Sequence, residues 1–99
     1  PADDEITLGS LAVCPGASDW FQRTEFNGAL VLGELVVTGG EGTIDDVTLT
    51  VYDDQDQIVG TGMRAADRLD FDFFPSTTGQ FYYQVETTSR VEYEMLLVR

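Results

Sequence analysis

Val47-Thr48-Leu49-Thr50-Val51-Tyr52 alternates between apolar and polar side chains at nearly every step. A period of two puts Val47, Leu49 and Val51 on one side of an extended chain and Thr48, Thr50 and Tyr52 on the other. That is the pattern of a strand half-buried in an antiparallel sheet. The same period runs through the rest of the chain. Leu69, Phe71 and Phe73 alternate with Arg68, Asp70 and Asp72, and Phe81, Tyr83 and Val85 oppose Tyr82, Gln84 and Glu86. Val91, Tyr93, Met95 and Leu97 oppose Glu92 and Glu94, while Leu96 and Val98 make the end of that strand apolar on both faces. No segment keeps apolar residues at i, i+3, i+4 and i+7 over three turns, so no amphipathic helix is expected.

Further strands are expected over Ile6–Cys14, Trp20–Phe26, Ala29–Thr38 and Gln57–Met63. Asn27-Gly28 predicts a two-residue hairpin joining Trp20–Phe26 to Ala29–Thr38, because a type I′ turn needs positive φ at both central positions. Gly39-Gly40-Glu41-Gly42 marks a looser reversal, and Asp53-Asp54-Gln55-Asp56 connects Val47–Tyr52 to Gln57–Met63. Arg64-Ala65-Ala66 and Pro75-Ser76-Thr77-Thr78-Gly79 supply the later turns. Gly33, inside an apolar strand, predicts a bulge or a close backbone approach. About eight short strands in one domain spanning residues 1–99 read as an all-β, antiparallel two-sheet β-sandwich of jelly-roll-like type.

Eighteen Asp and Glu stand against five Arg, with no Lys and no His, for a net charge of −13. Such a surface repels phosphate backbones and anionic headgroups, which argues against nucleic-acid and membrane partners. An apolar content of 42% supports a packed core rather than a disordered acidic tail. No apolar run approaches the ~20 residues of a membrane span, and no signal peptide is seen; the chain opens at Pro1 without Met and is expected to be a processed or excised domain. Without His there is no Ser–His or Cys–His nucleophile, and without Lys no Schiff base. Paired carboxylates serve a glycosidase only across a cleft, at about 5–9 Å, which a small sandwich with short loops does not offer. The composition therefore points away from an enzyme.

Cys14 is the single cysteine, so no internal disulfide exists. Its neighbours Leu11-Ala12-Val13 are apolar and strand-like, and a small buried side chain is expected; pairing with a cysteine elsewhere in a longer parent chain is the alternative.

Four motifs fall in a recognisable order: Asp19-Trp20-Phe21, then Asp46-Val47-Thr48-Leu49-Thr50-Val51-Tyr52-Asp53, then Gly79-Gln80-Phe81-Tyr82-Tyr83-Gln84-Val85, then Tyr93-Glu94-Met95-Leu96-Leu97-Val98. From about Ile6 to Val98 the chain resembles the bacterial pre-peptidase C-terminal domain, whose relatives include the collagen-binding domains of collagenases. The resemblance implies a non-catalytic accessory domain of a secreted protein, extracellular or periplasmic. Its partner is then a parent catalytic domain or another secreted module, with attachment to an insoluble protein or polysaccharide, or maturation and export, as its role. A carbohydrate-binding or adhesion module of a multidomain extracellular protein is the alternative. The family usually has apolar residues two and four after the aromatic at Phe21; here they are Arg23 and Glu25. Either a bulge shifts the register, or the strand end faces solvent and the two charges pair. The family's Glu-x-Asn opening is replaced by Pro1-Ala2-Asp3-Asp4-Glu5, and the acid that calcium-binding relatives place three residues before Asp19 is here Gly16.

Calcium takes six to eight oxygens, so clustered acids are necessary without being sufficient. The resemblance brings Asp3 and Asp4 beside Asp19 as a calcium set, making calcium the one cofactor it offers; the alternative is solvated acids with Asp19 capping a turn. Asp53, Asp54 and Asp56 lack the spacing of an EF-hand loop. Adjacent in a strand, Trp20 and Phe21 point to opposite faces, Phe21 to the core and Trp20 either to cover an edge of the sandwich, the favoured reading, or to stand exposed for binding. Tyr52 and Tyr82 face outward on their strands and are the candidate ligand-binding residues, since flat tyrosines bordered by Thr and Gln suit sugar faces or collagen-like peptides.

Overall fold

Nine strands account for the period-two pattern: β1 (Glu5–Val13), β2 (Ser18–Glu25), β3 (Val31–Gly40), β4 (Val47–Tyr52), β5 (Ile58–Thr61), β6 (Met63–Ala65), β7 (Arg68–Phe73), β8 (Gly79–Thr87) and β9 (Val91–Val98). The computed structural model describes residues 5–98, with side chains from residue 12 onward. All pairings are antiparallel. One sheet has five strands in the order β1-β9-β3-β7-β6, the other four in the order β2-β8-β4-β5. The chain is thus a two-sheet β-sandwich, as the alternation requires.

The apolar set of each strand faces the other sheet. Leu35, Tyr93, Met95 and Leu97 from the five-stranded sheet meet Leu49, Val51, Tyr83 and Val85 from the four-stranded sheet, all without solvent exposure. Burying each such side chain contributes roughly 1.5–3 kcal/mol. Aromatic rings lock the layers together: Phe71 and Tyr83 lie 6.1 Å apart, Phe73 and Phe81 5.6 Å, in tilted geometry.

Most connections cross between sheets, and only β4–β5 and β6–β7 are hairpins among the described strands. This overturns the hairpin expected at Asn27-Gly28, since β2 and β3 lie in different sheets. Gly28 has φ +80° but Asn27 does not share a positive φ, so the type I′ requirement is unmet. The turn closes by Ala29 N–H donating to Phe26 O at 3.0 Å. Its remaining donors are spent on the loop after β7: Gly28 N–H on Pro75 O and Asn27 N–H on Thr78 Oγ1, both at 3.0 Å.

The single strand expected over Gln57–Met63 is two strands in two sheets, broken at Gly62. There the N–H donates to Leu49 O at 2.8 Å, and a Cβ would meet Leu49 and Leu69 side-chain carbons at 3.2–3.3 Å. β6 then includes Arg64 and Ala65, and the reversal falls at Ala66, whose φ is 56°. Gly33 shows the close approach and not the bulge. Its pairing with Phe71 and Leu97 is in unbroken register, and a Cβ would lie 2.0 Å from Phe71 Cζ, so the ring occupies the missing side chain's place.

Cys14 is exposed, not buried. β1 ends at Val13, and Cys14 opens a turn closed by Ala17 N–H donating to Cys14 O at 3.1 Å.

Candidate functional site

The outward face of the four-stranded sheet carries the aromatic residues the core does not use. Tyr52 on β4 pairs directly with Tyr82 on β8, which pairs in turn with Gln22 on β2. One row along, Thr50 pairs with Gln84 and Gln84 with Trp20. The two tyrosines expected to face outward are therefore neighbours on one surface. Both are half-buried, as residues lying flat on a sheet would be.

Trp20 completes the surface from the edge strand β2. It is 55% exposed, and its ring reaches over β8 to lie 5.7 Å from that of Tyr52, tilted by 35°. Phe21, on the opposite face of the same strand, packs against the core as expected. The signal for Trp20 was its alternation with Phe21; the cross-strand neighbour that makes it part of a platform is set by tertiary pairing.

Side-chain amides fix the polar part of this face. Tyr52 Oη donates to Gln84 Oε1 at 3.1 Å, and Gln84 Nε2 donates to Ser18 Oγ at 3.2 Å. A second chain runs from Gln22 Nε2 to Gln80 Oε1 at 3.1 Å and from Gln80 Nε2 to Thr24 Oγ1 at 2.7 Å. Each amide is oriented by a partner. Among the described residues the Tyr82 hydroxyl has no protein partner in these chains. The surface offers ring faces for stacking beside hydroxyl and amide groups, with no carboxylate between Trp20, Tyr52 and Tyr82 in the register.

Of the three acids expected to bind calcium, only Asp19 is among the described residues. Asp3 and Asp4 lie outside them. Asp19 points inward, where its Oδ2 accepts a hydrogen bond from Tyr93 Oη at 2.6 Å across the two sheets. Burial first, then this hydrogen bond and the carboxylate's charge, push the Tyr93 phenol well above its ordinary range. Asp53 Oδ1 accepts from Gln55 N–H and Gln57 N–H, both at 2.9 Å, so this acid shapes the β4–β5 turn. Among the described residues no three acidic or thiol groups are placed to hold a metal.

Arg23 and Glu25 pair as one of the two expectations had it, but without the bulge and without facing solvent. The β2–β8 register is continuous from Ser18 to Glu25, so there is no bulge, and both residues face inward. Glu25 is fully buried, and Arg23 Nε lies 3.8 Å from Glu25 Oε2. Tyr83 Oη donates to the same oxygen at 2.5 Å. The charges do pair, but under the sheet.

No family model matches the sequence, and no curated protein matches it. Among solved structures, the fold is similar to the pre-peptidase C-terminal domain of a collagenase from Bacillus anthracis. The TM-score is 0.73 at 14% identity, over 96% of this chain and 88% of that one. It is also similar to PliG from Aeromonas hydrophila, a periplasmic inhibitor of g-type lysozyme, with a TM-score of 0.65 at 8% identity over 98% and 86% of the two chains. A third likeness is to the SPBc2 prophage-derived protein YomS, with a TM-score of 0.54 at 9% identity over 98% and 95%. At these identities the likeness is one of fold alone, the two-sheet antiparallel β-sandwich.

Proposed function

We propose that this chain is a non-catalytic accessory domain of a protein working outside the cytoplasm, and that it holds its parent to an insoluble substrate. The observation that carries this reading is the contiguous Trp20–Tyr52–Tyr82 surface, with ring faces beside oriented amides. Exposed aromatic rings cost solvation unless something covers them, and flat ligands such as sugar rings or collagen-like peptides match them. Support also comes from the fold shared with a collagenase's pre-peptidase C-terminal domain and with a periplasmic protein. The absence of His and Lys removes the common nucleophile and base pairs. A tethered weak binder raises local concentration only where the substrate is a surface, so turnover of small soluble substrates should be indifferent to it.

The test is retention of the domain on insoluble collagen, cellulose and chitin. Tyr52→Ala, Tyr82→Ala and Trp20→Ala should each weaken retention while moving the melting temperature little, because all three side chains sit on the outer face. Retention on collagen supports peptidase-associated attachment, and retention on a polysaccharide supports the carbohydrate-binding alternative. Equal retention of wild type and all three variants on every matrix would overturn the assignment of this face.

A further inference from the structure

The outward face of the five-stranded sheet, on the opposite side of the sandwich, is not uniformly polar. Leu32 on β3 is 47% exposed, and Leu96 and Val98 on β9 lie half-buried beside it. In register, Val98 neighbours Leu32 and Leu32 neighbours Asp72; two residues along, Leu96 neighbours Glu34 and Glu34 neighbours Asp70. Val98, Leu96 and Leu32 therefore border Asp72, Asp70 and Glu34, with steps of about 4.8 Å from strand to strand. Thr61 and Met63, on either side of the crossing between sheets, also line this face, and Met63, paired with Asp70, is 69% exposed. The result is an open groove of about 480 Å³.

Its charge is unbalanced. Among the described residues Glu34, Asp70 and Asp72 face one cation, Arg68, whose Nε lies 2.8 Å from Asp70 and 3.7 Å from Glu34. Among the described residues Asp72 makes no ion pair. Exposed Leu32 and Met63 lie beside this carboxylate, and a purely apolar ligand would desolvate Asp72 without pairing it.

We propose that this groove docks an extended, arginine- or lysine-bearing segment of a partner protein. A long basic side chain is an apolar stem ending in a cation, and it fits the sequence of surfaces here: stem over Leu32 and Leu96, cation on Asp72 and Glu34. The charge of −13 would draw such a segment in and speed its encounter. A second copy of this chain would instead bring thirteen more negative charges to the face. This surface is separate from the Trp20–Tyr52–Tyr82 face, so either assignment can fail without the other.

The experiment uses the ¹⁵N-labelled domain and three capped nonapeptides, one alternating Leu and Arg, one alternating Ser and Arg, and one alternating Leu and Glu. At physiological salt the Leu–Arg peptide should bind tightest and shift the amides of Leu32, Asp72 and Leu96. Leu32→Gln and Asp72→Asn should each weaken it by about fivefold or more, close to 1 kcal/mol. Asp54→Asn, which removes the same charge from the β4–β5 turn, should change it by less than about twofold. Leu32 and Asp72 are exposed, so unchanged melting temperatures verify that the variants fold. The proposal fails if Asp54→Asn weakens binding as much as Asp72→Asn, or if the Ser–Arg peptide binds as well as the Leu–Arg peptide. It fails equally if the shifts map to another face, or if sedimentation shows a dimer that Leu32→Gln dissociates.

Discussion

Tyr83 and Glu25 share a hydrogen bond of 2.5 Å between Oη and Oε2, with neither side chain exposed to solvent. A carboxylate on an edge strand has been turned into the sandwich and held there from the central strand of the same sheet. Hydrogen bonds to charged groups contribute about 1.5–3 kcal/mol, and breaking one inside the protein exposes the cost of burying the charge. Tyr83→Phe should therefore lower stability by about 2 kcal/mol in urea denaturation, with the native circular dichroism unchanged. A midpoint equal to wild type would show that this bond carries none of the burden.

Tyr93 gives the molecule an alkaline limit. Its folded phenol is held protonated by burial and by Asp19, above the ordinary tyrosine range near 10. Below that pH both folded and unfolded chains keep the proton, and the contribution is constant. Above it the unfolded chain releases the proton while the folded chain retains it, so stability falls as pH rises, by up to about 1.4 kcal/mol per pH unit. The melting temperature should be flat from this source between pH 7 and 9 and drop beyond 10. Tyr93→Phe should be less stable at neutral pH and show a shallower alkaline slope.

Gly33 and Phe71 should behave as one unit. With a Cβ 2.0 Å from the ring, Gly33→Ala cannot be accommodated unless Phe71 moves, and overpacking of this kind costs about 1–3 kcal/mol. Phe71→Leu alone leaves a cavity. The double variant should be more stable than the sum of the two losses predicts, because the smaller side chain makes room for the methyl. Strict additivity in a double-mutant cycle would refute the coupling.

Ala66 stands at φ 56°, a backbone region that residues with a Cβ occupy at a cost of about 1 kcal/mol. Ala66→Gly removes that cost at the turn of the β6–β7 hairpin. After the greater flexibility of the unfolded chain is set against it, a net gain of about 0.5 kcal/mol is expected. That corresponds to a rise in melting temperature of roughly 2–4 °C, measurable by scanning calorimetry.

Alternation along the strands contains the facing of each side chain but not the identity of its neighbours. Val47–Tyr52 shows on its own that Tyr52 turns outward; that Tyr82 lies beside it, and Trp20 across from it, depends on β8 sitting between β2 and β4. Asn27-Gly28 has the composition of a hairpin, yet its donors find better partners at Pro75 and Thr78, and the chain changes sheet. Arg23 and Glu25 obey the period of two, which points them inward with Phe21, against the usual preference of charges for water. The buried Glu25 is met there by Tyr83, fifty-eight residues further along the chain. Cys14 sits at the end of an apolar run, one residue past where β1 stops.

The place of β9 governs when the molecule can fold. The last strand lies between the first and the third, with Glu5 opposite Val98 and Leu32 opposite the same residue. β1 has no partner in its sheet until β9 has been made, and β3 lacks one of its two. Only the β4–β5 and β6–β7 hairpins join strands close in sequence. A growing chain therefore emerges with long unpaired strands, and closure waits on the distant pairing of β1 with β9, the kind of topology that folds in milliseconds to seconds. β9 must be made before the sandwich exists, so a ribosome-bound chain cut short before Val91 should remain open to protease where one that includes β9 resists.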